Sequence, residues 1–134
     1  MSTFTLEIVT PERKVYSQDV NMIVVKGVEG ELGILPNHIP LVTALKVAPL
    51  KVKNGNDEEV IAVHGGFMEV SKEKVVILAD VAERAGEIDV ERAQAAKERA
   101  ERRLADKKAD YDFRRAEMAL QKAINRISST DKQF

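Results

Sequence analysis

Cysteine is absent from the 134 residues, which excludes disulfide scaffolding, thiol nucleophiles and cysteine-type zinc sites and fits a reducing compartment. Tryptophan is also absent and aromatics make up only 4%, so the core that a hydrophobic content of 44% supports must be aliphatic. Few rings also means few platforms on which nucleobases stack, which counts against a nucleic-acid-binding β-domain. The N-terminus has no basic region leading into a long apolar run, and no stretch approaches the ~18 apolar residues of a membrane span. The expectation is a soluble chain whose membrane association runs only through partners. Neither a GxxxxGK[ST] phosphate loop nor a GxGxxG fingerprint occurs, and the glycines between Gly27 and Gly66 read as tight turns. His38 and His64 are too few for a histidine-rich metal site, and neither pairs with a recognisable nucleophile, which argues against an independent hydrolase. Glycine and proline are themselves missing from one part of the chain: all seven glycines and four prolines lie at or before Gly86.

What is present divides at that point. From Phe4 to Asp80, β-branched residues recur with period two, most clearly in Phe4 to Val9, Asn21 to Val25, Val60 to Val63 and Lys74 to Ala79. Turn residues at Thr10-Pro11, Gly27 to Gly30, Asn54 to Asp57, Gly65-Gly66 and Ser71 to Glu73 separate these runs at short intervals. Such spacing favours a sandwich or barrel of about eight to ten strands over a βαβ sheet. The segment Gly30 to Pro40, GELGILPNHIP, reads as a loop or strand edge because prolines withhold backbone donors. Two readings stand for it: a rigid hairpin end folded over the core, or a presented surface with Glu31 and His38 as polar contacts.

Beyond Gly86 the chain is built mainly from Ala, Glu, Lys, Arg and Gln. Asp89 reads as a helix N-cap with Val90 as the first helical residue, and Ala93, Ala96, Ala100 and Leu104 form a small-residue stripe. The helix is expected to fade near Asp106 to Asp112. A second helix, capped by Asp110 or Asp112, would carry the apolar stripe Phe113, Ala116, Leu120, Ala123, Ile124 and Ile127. The fold class is therefore α+β: an N-terminal antiparallel β-sandwich or barrel over 1–86, then a two-helix antiparallel hairpin over 87–134. A stripe dominated by alanine buries little area, so such a hairpin would dock only marginally.

Charge divides in the same way. The first 86 residues hold 9 basic and 12 acidic side chains, the remainder 12 basic and 10 acidic. From Phe113 to Ile127, Arg114, Arg115, Lys122 and Arg126 stand against the single acid Glu117, which suggests an acidic partner for the last segment.

These residues together carry a resemblance. Phe4 to Thr10 followed by Pro11, GELGILPNHIP, Gly65-Gly66-Phe67 followed by Met68-Glu69-Val70, Val76 to Ala79 and the Ala/Glu/Arg-rich tail resemble the epsilon subunits of rotary proton-translocating ATP synthases, particularly Bacillus-like bacterial members. The resemblance covers nearly the whole chain. It implies a sandwich that binds the gamma subunit and the membrane-embedded c ring, with Glu31 and His38 in the ring-facing loop. It further implies a non-catalytic central-stalk role at the cytoplasmic face of the bacterial plasma membrane. The hairpin resembles a regulatory element that lies beside the sandwich or extends toward the alpha and beta subunits of the catalytic head and restrains ATP hydrolysis. Arg114, Arg115, Lys122 and Arg126 would then meet an acidic loop of the beta subunits.

Ile88, Asp89, Arg92 and Ala93 match the family's I(L)DxxRA nucleotide-binding motif. By that resemblance Glu83 and Asp89 lie on the adenine side, Arg92 and Arg99 serve the phosphates, and Lys122 and Arg126 contribute from the second helix. Arg92 and Arg99 are seven residues apart and share a helical face, and guanidinium forks suit phosphate oxygens. Lys122 departs from the arginine that nucleotide-binding relatives can carry, replacing a planar fork by a point charge. For Asp89 the capping role and for Arg92 a surface role beside acids stand next to ligand binding. ATP is expected as a regulatory ligand, with no other cofactor and no metal. A freestanding ATP-binding sensor is the alternative, and it would have no use for GELGILPNHIP.

Overall fold

The computed structural model describes residues 2–105 and 113–130. Eight strands come first: β1 (Phe4–Val9), β2 (Lys14–Val20), β3 (Met22–Gly27), β4 (Gly30–Ile34), β5 (Leu41–Asn54), β6 (Asp57–Val70), β7 (Lys74–Ala79) and β8 (Ala82–Arg84). A 3-10 turn at Ala85–Glu87 leads to the helices α1 (Val90–Ala105) and α2 (Phe113–Thr130). The expected fading of the first helix and the Asp110 or Asp112 cap lie outside the described residues.

The strand order is β2-β1-β7-β6-β5-β3-β4, with β8 paired to β6. β1 runs parallel to β7, and the other pairs are antiparallel. β5 and β6, each 14 residues long, form the backbone of the sandwich. Their hairpin turns at Asn54 and Asp57 and stays in register to Leu41 opposite Val70. One half of β6, Gly66 to Val70, pairs with β7, while Ile61 to Val63 pair with β8. The same two strands thus serve both layers.

One reading of the local sequence is corrected here. Gly65-Gly66 is not a turn between strands but a bend inside β6, with φ of 80° and 127°. Pro49 lies within a central strand, β5, which is tolerated because the β3–β5 pairing skips from Lys51 to Leu45. β4, from the GELGILPNHIP segment, ends the strand order as an edge.

Alternation decides the core. β1 buries Phe4, Leu6 and Ile8 and leaves their neighbours half-covered, and β7 buries Val75, Ile77 and Ala79. The central cluster is mostly aliphatic, with Ile23, Leu50, Ile61 and Met68 sealed from solvent, and all its members fall between Phe4 and Ala82. The core of the sheet unit is therefore built from its own residues.

α1 packs along α2, and α2 packs on β5 and β6. Ala93 and Ala100 of α1 and Ala116 and Ala123 of α2 are buried, allowing close approach with little apolar area. The expected six-residue stripe on α2 is too broad: Phe113 and Ile124 are exposed, at 62% and 43%. Asn125 and Ser129 are buried instead, because α2 is covered on two sides and the side toward the sheet is polar. Among the described residues no helix is long and apolar enough to cross a membrane.

Candidate functional site

The three-residue strand β8 sets Glu83 opposite Ala62 of β6, two residues from His64, whose amide donates to the Val81 carbonyl at 2.9 Å. Glu83 thereby reaches the body's helix-facing side. Its Oε1 accepts from Arg126 Nε of α2 at 2.5 Å and lies 3.3 Å from His64 Nε2. One residue earlier on α2, Asn125 donates through Nδ2 to the Val63 carbonyl at 3.0 Å, and its Oδ1 accepts weakly from Ser129 at 3.5 Å. The helix is thus held to the sheet chiefly by polar contacts.

His64 is 2% exposed, and burial, with Arg126 opposing a second positive charge, pushes its imidazole down to about 4 from the ordinary 6.5, although Glu83 pulls the other way. The ring is neutral at pH 7. Its contact with Glu83 is therefore a hydrogen bond donated by Nε2, not an ion pair. Nδ1 is buried without a hydrogen-bonding partner among the described residues.

Next to this contact lies a cleft of about 390 Å³, lined by Glu83, Glu87, Asp89, Arg92, Ala93, Ala96, Arg99 and Arg126. The volume lies in the range that small-molecule sites occupy. Ala93 and Ala96 of α1 are part of its lining, small side chains that leave room where longer ones would fill it. The three carboxylates are already committed. Glu83 holds Arg126; Glu87 accepts from the Arg84 amide at 3.1 Å and from Arg13 Nη2 at 2.7 Å. Burial alone would raise the Glu87 carboxyl, but the Arg84 amide and the Arg13 guanidinium hold it below its ordinary value. Asp89 Oδ1 accepts from the Arg92 amide at 3.1 Å, which is the capping bond expected from the sequence.

Arg92 and Arg99, by contrast, have no ion-pair partner among the described residues, and both line the cleft. With Arg126 they put three arginines, from two helices, on the wall of one cleft. Such a set can take an anion with several oxygens, such as a phosphate chain.

Of the residues named from the sequence, Glu83, Asp89, Arg92, Ala93, Arg99 and Arg126 line this cleft, brought together from β8, α1 and α2. Ile88 is buried rather than lining it, and Lys122 stands aside, close enough to His64 to oppose its protonation. Glu87 and Ala96 line the cleft without having been singled out. The small-residue stripe pointed to Ala96; nothing local pointed to Glu87, which the 3-10 turn brings in.

Glu31 is exposed on β4 and borders a second hollow of about 420 Å³ beside Val28, Val42 and Thr43. That hollow has no guanidinium on its wall. His38 sits in the following loop, its Nδ1 donating to the Ile39 carbonyl at 2.6 Å. Leu35 and Ile39 beside it are 55% and 78% exposed. Arg114 and Arg115 occupy the exposed first turn of α2, away from the cleft lining.

Residues 3–85 match the family described as ATP synthase, Delta/Epsilon chain, beta-sandwich domain, and residues 87–130 match ATP synthase, Delta/Epsilon chain, long alpha-helix domain. The chain is 57% identical over 129 residues to the ATP synthase epsilon chain of Desulforamulus reducens, covering 96% of this chain and 98% of that one. It is 58% identical over 133 residues to the ATP synthase epsilon chain of Alkalihalophilus pseudofirmus, covering 98% and 100%. Among solved structures it resembles a chain of the Euglena gracilis mitochondrial ATP synthase, in a structure that includes the c-ring. That likeness has a TM-score of 0.80 at 25% identity and covers 93% of this chain and 79% of that one. A chain of the Tetrahymena thermophila mitochondrial ATP synthase central stalk and c-ring shares the fold, with a TM-score of 0.58 at 17% identity over 98% and 96%.

Proposed function

This chain belongs to the delta/epsilon chain family of ATP synthase, and from that premise we propose that it is a non-catalytic epsilon subunit of the central stalk of a bacterial enzyme. In this reading the sandwich joins the gamma subunit to the c ring, with the loop carrying Glu31 and His38 against the ring. The exposed Leu35 and Ile39 beside His38 support a contact there, since apolar residues grouped on a loop favour a covered surface. The complex sits on the cytoplasmic face of the plasma membrane, held through its partners.

The regulatory part is the helical hairpin. ATP binds the cleft between β8, α1 and α2, with its phosphates on Arg92, Arg99 and Arg126, and stabilises the docked hairpin. When ATP falls, the hairpin leaves the sandwich and extends toward the alpha and beta subunits, where the basic side of α2 restrains hydrolysis. The observation that carries this reading is that Arg92 and Arg99, which have no ion-pair partner among the described residues, line one cleft with Arg126, which is also the docking contact. Arg126 holds Glu83 while the hairpin is docked, so it is unavailable to the catalytic head until release; docking and inhibition exclude each other. A ligand bound only by the docked form shifts the balance by RT ln(1 + [L]/Kd), roughly 1.4 kcal/mol at a tenfold excess over Kd. A docking surface of alanines and a few hydrogen bonds leaves the two states close enough for that to matter.

Calorimetric titration of ATP into the isolated chain tests the site. Binding is expected for the unaltered chain and at least tenfold weaker for Arg92→Ala, which removes one charge-assisted contact of roughly 1.5–3 kcal/mol. Equal affinity in chain and variant would sink the site. A freestanding sensor, the competing reading, would bind ATP equally well but would not copurify with gamma and the ring.

A further inference from the structure

His64 has no part in the nucleotide site as described, yet it is sealed beneath α2 at the polar seam that holds the hairpin. Its Nε2 donates to Glu83 Oε1, the same oxygen that accepts from Arg126. A second proton would therefore have to sit on Nδ1, which is buried and faces no acceptor among the described residues. A buried donor without a partner costs the full desolvation of that group. The charged groups around the ring add to this: Lys122 and Arg126 approach from α2, while Glu83 from β8 is shared with Arg126. Asp80, in the turn between β7 and β8, lies beside Gly65, the residue after His64.

We propose that His64 makes hairpin docking proton-sensitive: the imidazole fits beneath α2 only when neutral, so protonation requires α2 to lift, and acidification releases the hairpin and loosens the nucleotide cleft with it. This rests on the moving hairpin proposed above and adds a second input to it. Acid outside the ordinary range of the cell interior would thus act in the same direction as loss of ATP.

The sign follows from the geometry. With α2 away, the ring regains water and its ordinary value of 6.5; docked, it is held down to about 4. The undocked form binds the proton better, so acid favours release. Above the ordinary value neither form is protonated and docking does not change with pH. As pH falls through that value docking weakens, by roughly twentyfold between pH 7 and pH 5, and levels off only below the docked value.

The absence of cysteine lets two be introduced freely, at Ser17 on β2 and Met118 on α2, both exposed. Spin labels there report the docked fraction of the full-length chain, read at a urea concentration that releases about half the hairpins at pH 7. The docking constant is expected to fall roughly twentyfold from pH 7 to pH 5, and to change less than about threefold in His64→Asn and His64→Gln. Equal pH dependence in the chain and both variants would overturn the role of His64. Should the variants fail to fold, nuclear magnetic resonance of the ring in the unaltered chain decides: a His64 imidazole that titrates near its ordinary value while docked overturns the proposal. A hairpin that releases on ATP withdrawal but ignores pH refutes this inference alone. One that keeps a single distance under every condition refutes the moving hairpin as well.

Discussion

A chain ending at Gly86 is expected to fold and to assemble into a coupled ATP synthase whose hydrolysis no longer responds to ATP depletion. The physical basis is the separation of cores. Every member of the central cluster lies between Phe4 and Ala82, so removal of residues 87–134 takes away no buried member of it. What is lost is a lid of α2 over Val63 and His64, together with the Arg126–Glu83 and Asn125–Val63 contacts. These are worth a few kcal/mol at most, since hydrogen bonds to charged groups contribute about 1.5–3 kcal/mol and neutral ones about 1. Melting of the truncated chain should remain cooperative. In the assembled enzyme, the ratio of hydrolysis at low ATP with the full chain to that with the short one should fall well below unity. Unchanged regulation would refute the role assigned to the helices, and failure to assemble would refute the role assigned to the sandwich.

Gly66→Ala is expected to cost about 3 kcal/mol and to lower the melting midpoint by roughly 10–20 °C. At φ of 127° an L side chain is strained before any contact is considered. A Cβ built there would stand 2.2 Å from the Leu78 carbonyl oxygen and 2.8 Å from the Ala79 Cα, both backbone atoms of the paired strand β7. Neither can move without disturbing the ladder. The damage would reach the cleft, because the bend sets where β6 passes from β7 to β8 and so where His64 and Glu83 meet. Gly86→Ala is the control: nothing lies within 4 Å of its Cβ position, so the change should stay within about 0.5 kcal/mol. Thermal and urea melts of the two variants check both. A Gly66→Ala chain as stable as the parent would contradict the close approach of β6 and β7.

What local chemistry decides was readable in advance, and what packing decides was not. Asp89 could be recognised as the cap of α1 because the bond it makes is to the amide of Arg92, three residues on. The alternation in β1 and β7 was equally plain, since each strand turns one face to the core. Gly65-Gly66 misled for the same reason: a glycine pair is a turn signal locally, and only pairing with β7 and β8 on either side makes it a bend in one long strand. On α2 a single apolar stripe was the natural reading. The helix instead lies between α1 and the sheet, so Asn125 and Ser129 are buried on the second side and Phe113 and Ile124 are left outside. Glu83 and Arg126 are 43 residues apart, and no spacing rule joins them; the resemblance named both, and the β8–α2 contact is what unites them. The setting of His64 depends on a covering helix that no local pattern reveals.

The central claim is that ATP in the cleft keeps the hairpin on the sandwich. It is tested most directly by the distance between a label at Ser17 on β2 and one at Met118 on α2, measured inside the assembled enzyme with saturating ATP and after its removal. A short distance with ATP that lengthens when ATP is withdrawn is the predicted result. The same distance in both conditions would contradict it.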